Sequence, residues 1–436
     1  QPANAPPGPG PRLAPEKHRL DPIDYSGRPS ATTAGDVLIW IPRVLFFPVY
    51  LVAEYAIRWP LGTMTVFVEQ HKLIETLADI FVFGPDKNIG VVPTGLIDFG
   101  FRPSVGVYFF YDDFIAKNNA LRVHLATGGT DYLRGTVTDR VGIDKNAYLK
   151  LRFEGTDRPD FVYYGLGPRA LETSRSRYRE VSFEETVGLA AQVRDGNGFE
   201  VYASVKDARF DANGDCCGDP SLSSMVRAGL SDIPPGFGGY TALRQGLWFS
   251  LDSRKPRPQP GTGLRLEGNV EHDFDMRAPG ESRWVRWGGS VGGFVDLTGH
   301  NRVLSLSLAT ELADPLGDEP VPFTELASLG GDVDPMHGFL QGRLLDRSSL
   351  AATLEYRWPV WSFLDGSAQF AVGNVFGEHY EGFEPDLLRM AFTLGLRSTG
   401  SRDHSFNVMI GSGTETFKDG ATLNSFRFLF GATRGF

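Results

Sequence analysis

Three groups of residues have types and spacings that could do chemistry. In FDANGDCCGDP, Phe210 to Pro220, the side-chain oxygens of Asp211, Asn213 and Asp215 recur at alternate positions. That is how a calcium loop opens, because calcium takes several hard oxygen ligands converging in a tight turn. The glutamate that normally closes such a loop at the twelfth position is replaced by Leu222, so the same residues also read as an ordinary acidic turn. The adjacent Cys216 and Cys217 could close a vicinal disulfide in an oxidising compartment or remain thiols. In WVRWGGSVGGFVDL, Gly288, Ser290 and Gly292 match G-x-S-x-G. That motif works through a strand-to-helix elbow, whereas alternation here puts the serine inside a strand, so no enzyme is expected. The third group is charged: Lys150, Arg152, Glu154, Arg265, Glu267, Glu271, Glu355 and Arg389 face one side of their segments. They could line a passage or neutralise one another.

The elements that carry these residues follow a period of two. From about residue 94 to the end, apolar and polar residues alternate: Leu304, Leu306 and Leu308 oppose Ser305, Ser307 and Ala309, and Leu149, Leu151 and Phe153 oppose Lys150, Arg152 and Glu154. Runs such as Gly261 to Arg277 and Leu423 to Phe436 are longer than soluble-sandwich strands and fit tilted membrane-spanning ones. Allowing roughly 21 residues per strand and connection gives about 16 strands. Fifteen separate on inspection, and Thr94 to Phe114 is ambiguous. The expected fold is therefore all-β, a closed antiparallel transmembrane β-barrel with a short, partly helical N-terminal segment.

The organisation expected is a tail over residues 1–35, an amphipathic helical segment on the periplasmic side over 36–93, and the barrel over 94–436. The tail is rich in Pro, Gly and charge. Within the second segment, Val37 to Trp59 fits a helix lying in a membrane interface or packed beneath the barrel. The chain opens at Gln1 without a basic, apolar leader, so a processed export signal is expected. With 43 Lys+Arg against 53 Asp+Glu and a net charge of −10, nucleic acid is not an expected partner. The 52 glycines and 29 prolines suit many tight turns. No apolar run approaches the roughly 20 residues of a membrane-spanning helix.

The last hundred residues resemble the BamA/TamA surface-antigen superfamily. The likeness runs from LASLGGDVDPMHGF through LEYRWPVW and QFAVGNVF to the terminal SFRFLFGATRGF, where Phe426, Phe428, Phe430 and Phe436 form a C-terminal strand signal. Upstream, GFRPSVGVYFFYDDF and FVYYGLGP are similar to early strands of the same barrel. The resemblance implies a barrel in the outer membrane of a Gram-negative bacterium. It also implies work in outer-membrane biogenesis or transport, among outer-membrane lipids and with periplasmic or envelope proteins. A passive pore and a structural anchor are the alternatives. No cofactor other than the possible calcium is expected, and no POTRA pattern is visible before the barrel.

The resemblance also assigns a lumen loop, His337, Gly338 and Phe339, with Glu355 and Arg357 on the facing strand. The family's loop arginine is replaced by His337, and its strand aspartate by Ala371. The implied contact is an imidazole hydrogen bond from His337 to Glu355, tighter in mild acid because histidine titrates near neutrality.

Overall fold

A computed structural model describes residues 80–434 apart from 195, 256–260, 279, 333–334, 362–363 and 399–404, together with Phe47, Tyr55 and Gln70. The tail over 1–35, the expected Val37–Trp59 helix apart from Phe47 and Tyr55, and Phe436 lie outside the described residues. Ala78–Phe436 forms one compact unit, separate from Gln1–Leu77.

Sixteen strands close into an antiparallel barrel. They are β1 (Ile89–Asp98), β2 (Ser104–Asp112), β3 (Asn119–Gly129), β4 (Tyr132–Asp144), β5 (Ala147–Tyr163), β6 (Ser176–Arg194), β7 (Asn197–Asp211) and β8 (Tyr240–Asp252), followed by β9 (Gly263–Asp275), β10 (Arg283–Asp296), β11 (Val303–Pro315), β12 (Ser348–Trp361), β13 (Leu364–Phe376), β14 (Arg389–Ser398), β15 (Ser405–Thr414) and β16 (Leu423–Arg434). Each pairs with its sequence neighbour, and β16 returns to β1. The barrel thus begins at Ile89, five residues earlier than expected, because Gly90 and Pro93 interrupt the alternation of β1. The helical reading of 36–93 fails over its last residues, where Val82–Phe83 forms a two-residue stub paired to β1.

The alternation places Leu304, Leu306 and Leu308 on the outer face, each at least 38% exposed, while Ser305 is buried inside. Long connections gather at one end, the end that faces outward in outer-membrane barrels. The longest, between β11 and β12, folds back into the lumen. It carries a small hairpin, Ala327–Leu329 paired with Leu344–Asp346. Two apolar clusters form around it. Phe323 and Leu326 join Tyr163, Tyr178, Tyr240 and Trp284 of the wall, while Leu329, Met336, Phe339 and Leu344 join Ala351, Ala371 and Ala391. The barrel's core is therefore this loop.

Candidate functional site

The strands that close the barrel are joined unusually weakly. β16 and β1 share three residue pairs, Leu429 with Asp98, Phe430 with Ile97 and Gly431 with Leu96. Every other adjacent pair of barrel strands shares between seven and fifteen. Outside the seam, Phe99 packs edge-on against Phe428 at 5.2 Å and near Phe426 at 6.3 Å. Phe426 and Phe430 are exposed on the outer face and Phe428 half-buried, so these three members of the expected terminal signal share one side of β16.

Arg427 lies between them and points inward, only 1% exposed. Its guanidinium spans the seam to Asp98, Nε to Oδ1 at 3.0 Å and Nη2 to Oδ2 at 2.8 Å. The same group holds the lumen loop, donating to Asp332 Oδ1 at 2.5 Å and to the His337 carbonyl at 3.2 Å. Ser425 on β16 donates to the Gly338 carbonyl at 2.9 Å. Gly338 is required there, since a Cβ would stand 2.3 Å from the Ser412 carbonyl oxygen. Phe339 is fully buried beside Gly413, where a Cβ would come within 2.4 Å of its ring.

The expected bond from His337 to Glu355 is not formed. His337 Nδ1 meets the Gly331 carbonyl at 2.8 Å within its own loop. The wall explains why. Glu355, Gln369, Thr393 and Gly411 occupy one row across β12 to β15, and the loop at Gly338 lies against Gly411. Glu355 is therefore three strands away around the wall, roughly 14 Å, beyond hydrogen-bond reach. Glu355 and Arg357 sit half-buried on β12, and among the described residues no side-chain hydrogen bond or ion pair joins either to the loop. Burial lowers the His337 pKa, the Gly331 carbonyl and Asp332 oppose this, and Arg397 and Arg427 add to it. Ala371, at the position of the family's aspartate, belongs to the apolar cluster that contains Phe339.

The other flank of the loop is held by charge. A short turn, Phe323–Glu325, buries Glu325 to 1% exposure. Its carboxylate accepts from Lys206 Nζ at 2.7 Å, Tyr240 OH at 2.6 Å, Arg286 Nη1 at 3.0 Å and Arg244. Burial raises the Glu325 pKa, but Lys206, Arg244 and Arg286 outweigh it and hold the carboxyl well below the usual range. The cations have further partners: Arg244 reaches Asp273 at 2.8 Å and Arg286 reaches Glu311 at 2.8 Å. Sequence reasoning missed Asp98, Asp332, Glu325 and Arg427. Only Arg427 left a signal, a cation alternating with phenylalanines in the last strand.

The remaining candidates find ordinary partners. Lys150 pairs with Glu200, Arg152 with Glu154 at 2.6 Å, and Arg265 with Glu267 at 2.7 Å, so much of the inward charge is mutually neutralised. A cavity of about 300 Å³ remains between the loop and β4 to β7, lined by Arg134, Glu154, Glu180, Glu184, Lys206 and Gln341. Asp211 Oδ1 accepts from the backbone and side chain of Asn213, both at 2.9 Å, and Asp215 pairs with Arg102 at 3.2 Å. Cys216 and Cys217 are joined as a disulfide. Ser290 lies mid-strand in β10, between Glu267 and Ala309. At the rim, Asp314, Glu378 and His379 converge, but Arg347 bridges both carboxylates, at 3.2 Å and 2.8 Å.

No protein-family model and no curated protein matches the chain. Among solved structures, BamA from Haemophilus ducreyi lacking POTRA domains 1–3 superposes with a TM-score of 0.55 at 13% identity, covering 79% of this chain and 70% of that one. CdiB from Acinetobacter baumannii and CdiB from Escherichia coli each give 0.48 at 11% identity, and this chain spans 59% and 62% of their lengths. With its sixteen strands, outward-facing apolar band and lumen loop, this chain has the closed outer-membrane β-barrel fold seen in BamA.

Proposed function

We propose that this barrel works in outer-membrane biogenesis or transport, inserting or passing extended polypeptide or lipid through an opening between β1 and β16. In this reading, partners in the periplasm deliver the cargo and no enzymatic chemistry is involved. The observation that carries it is the three-pair seam. A ladder hydrogen bond contributes a net 0.5–1.5 kcal/mol or about that much, so a three-pair junction separates far more readily than its neighbours. The fold shared with BamA supports the same reading. A passive pore fits less well, since the loop fills much of the lumen with Phe323, Phe339 and their buried neighbours.

The test is to lock the seam. Ile97 and Phe430 face each other across it, and a closely spaced antiparallel pair sits about 5.5 Å apart at Cα, within disulfide range. With Ile97→Cys and Phe430→Cys oxidised, proteoliposomes should stop accelerating the folding of an added unfolded outer-membrane barrel, read as heat-modifiable gel mobility. Activity should return on reduction, with each single-cysteine variant under the same reductant as control. Unchanged acceleration by the locked barrel overturns the proposal.

A further inference from the structure

The direction in which each β1 residue presents its backbone is fixed by two hydrogen bonds. Phe99 N–H donates to the Phe428 carbonyl across the seam at 2.9 Å, and Asp112 N–H donates to the Asn88 carbonyl on the β2 side at 2.8 Å. The alternation of an antiparallel ladder then turns the even-numbered residues toward β2 and Ile89, Val91, Pro93 and Gly95 toward the seam. β16 pairs with β1 only as far as Leu96, although Phe406 still pairs with Ala432 and Ser405 with Arg434 on the other side of β16.

At the opposite end of the same edge, the chain supplies its own partner. Val82 pairs with Gly90 and Phe83 with Ile89, after which a tight turn is closed by Lys87 N–H donating to the Gly84 carbonyl at 3.1 Å. Between this stub and the last β16 pair at Leu96 lies Val91 to Thr94, which no strand covers among the described residues on the seam side, while Gly95 already lies against Gly431. This stretch contains Pro93, which has no N–H to offer.

We propose that Val82–Phe83 and Pro93 form a two-part edge guard that keeps the periplasmic half of β1 from being zipped up by β16 or by any other strand. The physical need is specific to this edge. An exposed strand edge is a template for pairing, and in a bilayer the cost of open N–H and C=O groups drives a neighbouring strand to continue along it. The stub satisfies the outermost positions with a self-strand, so a strand arriving from the periplasm must displace it before it can pair at Ile89. Pro93 then removes the donor on which pairing past Gly95 depends, as prolines at sheet edges do. The seam is short because the chain prevents it from being long.

This inference rests on reading the seam as the working site, but its test does not depend on activity. Amide exchange of the full-length protein in detergent should alternate along β1: Ile89 and Val92 slow, Val91 faster by about tenfold or more, the scale of one lost hydrogen bond. Phe83→Pro removes the N–H that pairs with Ile89 and should raise Ile89 exchange while leaving Val92 unchanged. Pro93→Val restores a donor, and the amide at position 93 should exchange about as slowly as Val92 as β16 extends down the edge. A retained heat-modifiable band confirms that each variant is folded. Val91 as slow as Val92 in the parent, Ile89 unchanged in Phe83→Pro, or a position-93 amide as fast as Val91 in Pro93→Val would each overturn the guard. Failure of the disulfide lock to stop activity would overturn the proposed function and leave these rates as they are.

Discussion

Gly431 on β16 lies so close to Gly95 on β1 that a Cβ at Gly431 would stand 2.0 Å from the Gly95 carbonyl oxygen. Its φ of 138° is also one that L side chains rarely adopt. Gly431→Val should therefore push the terminal strands apart, at an overpacking cost of roughly 1–3 kcal/mol. The measurement is disulfide yield between Ile97→Cys and Phe430→Cys, expected to fall severalfold. An unchanged yield would mean that β16 shifts without opening the seam.

Arg427 joins the seam and the loop through one buried guanidinium, so the two should respond together. Arg427→Met removes the shared cation and leaves Asp98 without it, a loss on the scale of about 3–5 kcal/mol for breaking a buried pair. Asp332→Asn, with its side chain 20% exposed, should cost less and mainly free the loop. Planar-bilayer conductance should rise in both, and the double variant should conduct no more than Arg427→Met alone. Additive increases would show that Arg427 and Asp332 act independently.

The loop should loosen in acid. Burial depresses the His337 pKa, so the neutral imidazole is the docked form. Its contribution is present above the ordinary histidine value of 6.5 and is lost as pH falls through the lower folded value. Protease cleavage near His337 should increase below about pH 6 in the parent and less so in His337→Gln. Protection that improves on acidification would contradict the sign.

Glu325 is a shared counter-charge for Lys206, Arg244 and Arg286, so Glu325→Gln should leave Lys206 without its carboxylate, while Arg244 keeps Asp273 and Arg286 keeps Glu311. Unfolding by heat in detergent should move to lower temperature, and the Phe323 side of the loop should become accessible to protease. Because the carboxyl is held well below its ordinary value of 4.5, its contribution persists above that value and is lost as pH falls further. Equal stability of parent and variant at neutral pH would remove Glu325 from the loop's anchorage.

Closure of the ladder by β16 and β1 makes a direct gel prediction. The unheated protein should resist SDS and migrate anomalously, because no long free edge is available from which to unzip the barrel. Identical mobility before and after boiling would contradict a closed barrel.

The sequence alone determined the barrel. A side-chain period of two is a property of the strand itself, so Leu304, Leu306 and Leu308 announce their outward face without knowledge of any partner. Strand length and charge alternation likewise pointed to a membrane span and a polar lumen, and the terminal phenylalanines to the last strand. The contacts of the lumen loop could not be read this way. His337 was placed against Glu355 by analogy of position, but which wall residues meet a loop depends on how many strands separate them around a closed cylinder. The tertiary structure put Gly338 against Gly411 and Ser412 and left Glu355 three strands away. It also brought Asp98, Asp332 and Arg427 together from positions more than ninety residues apart, a convergence that exists only once the first and last strands have met.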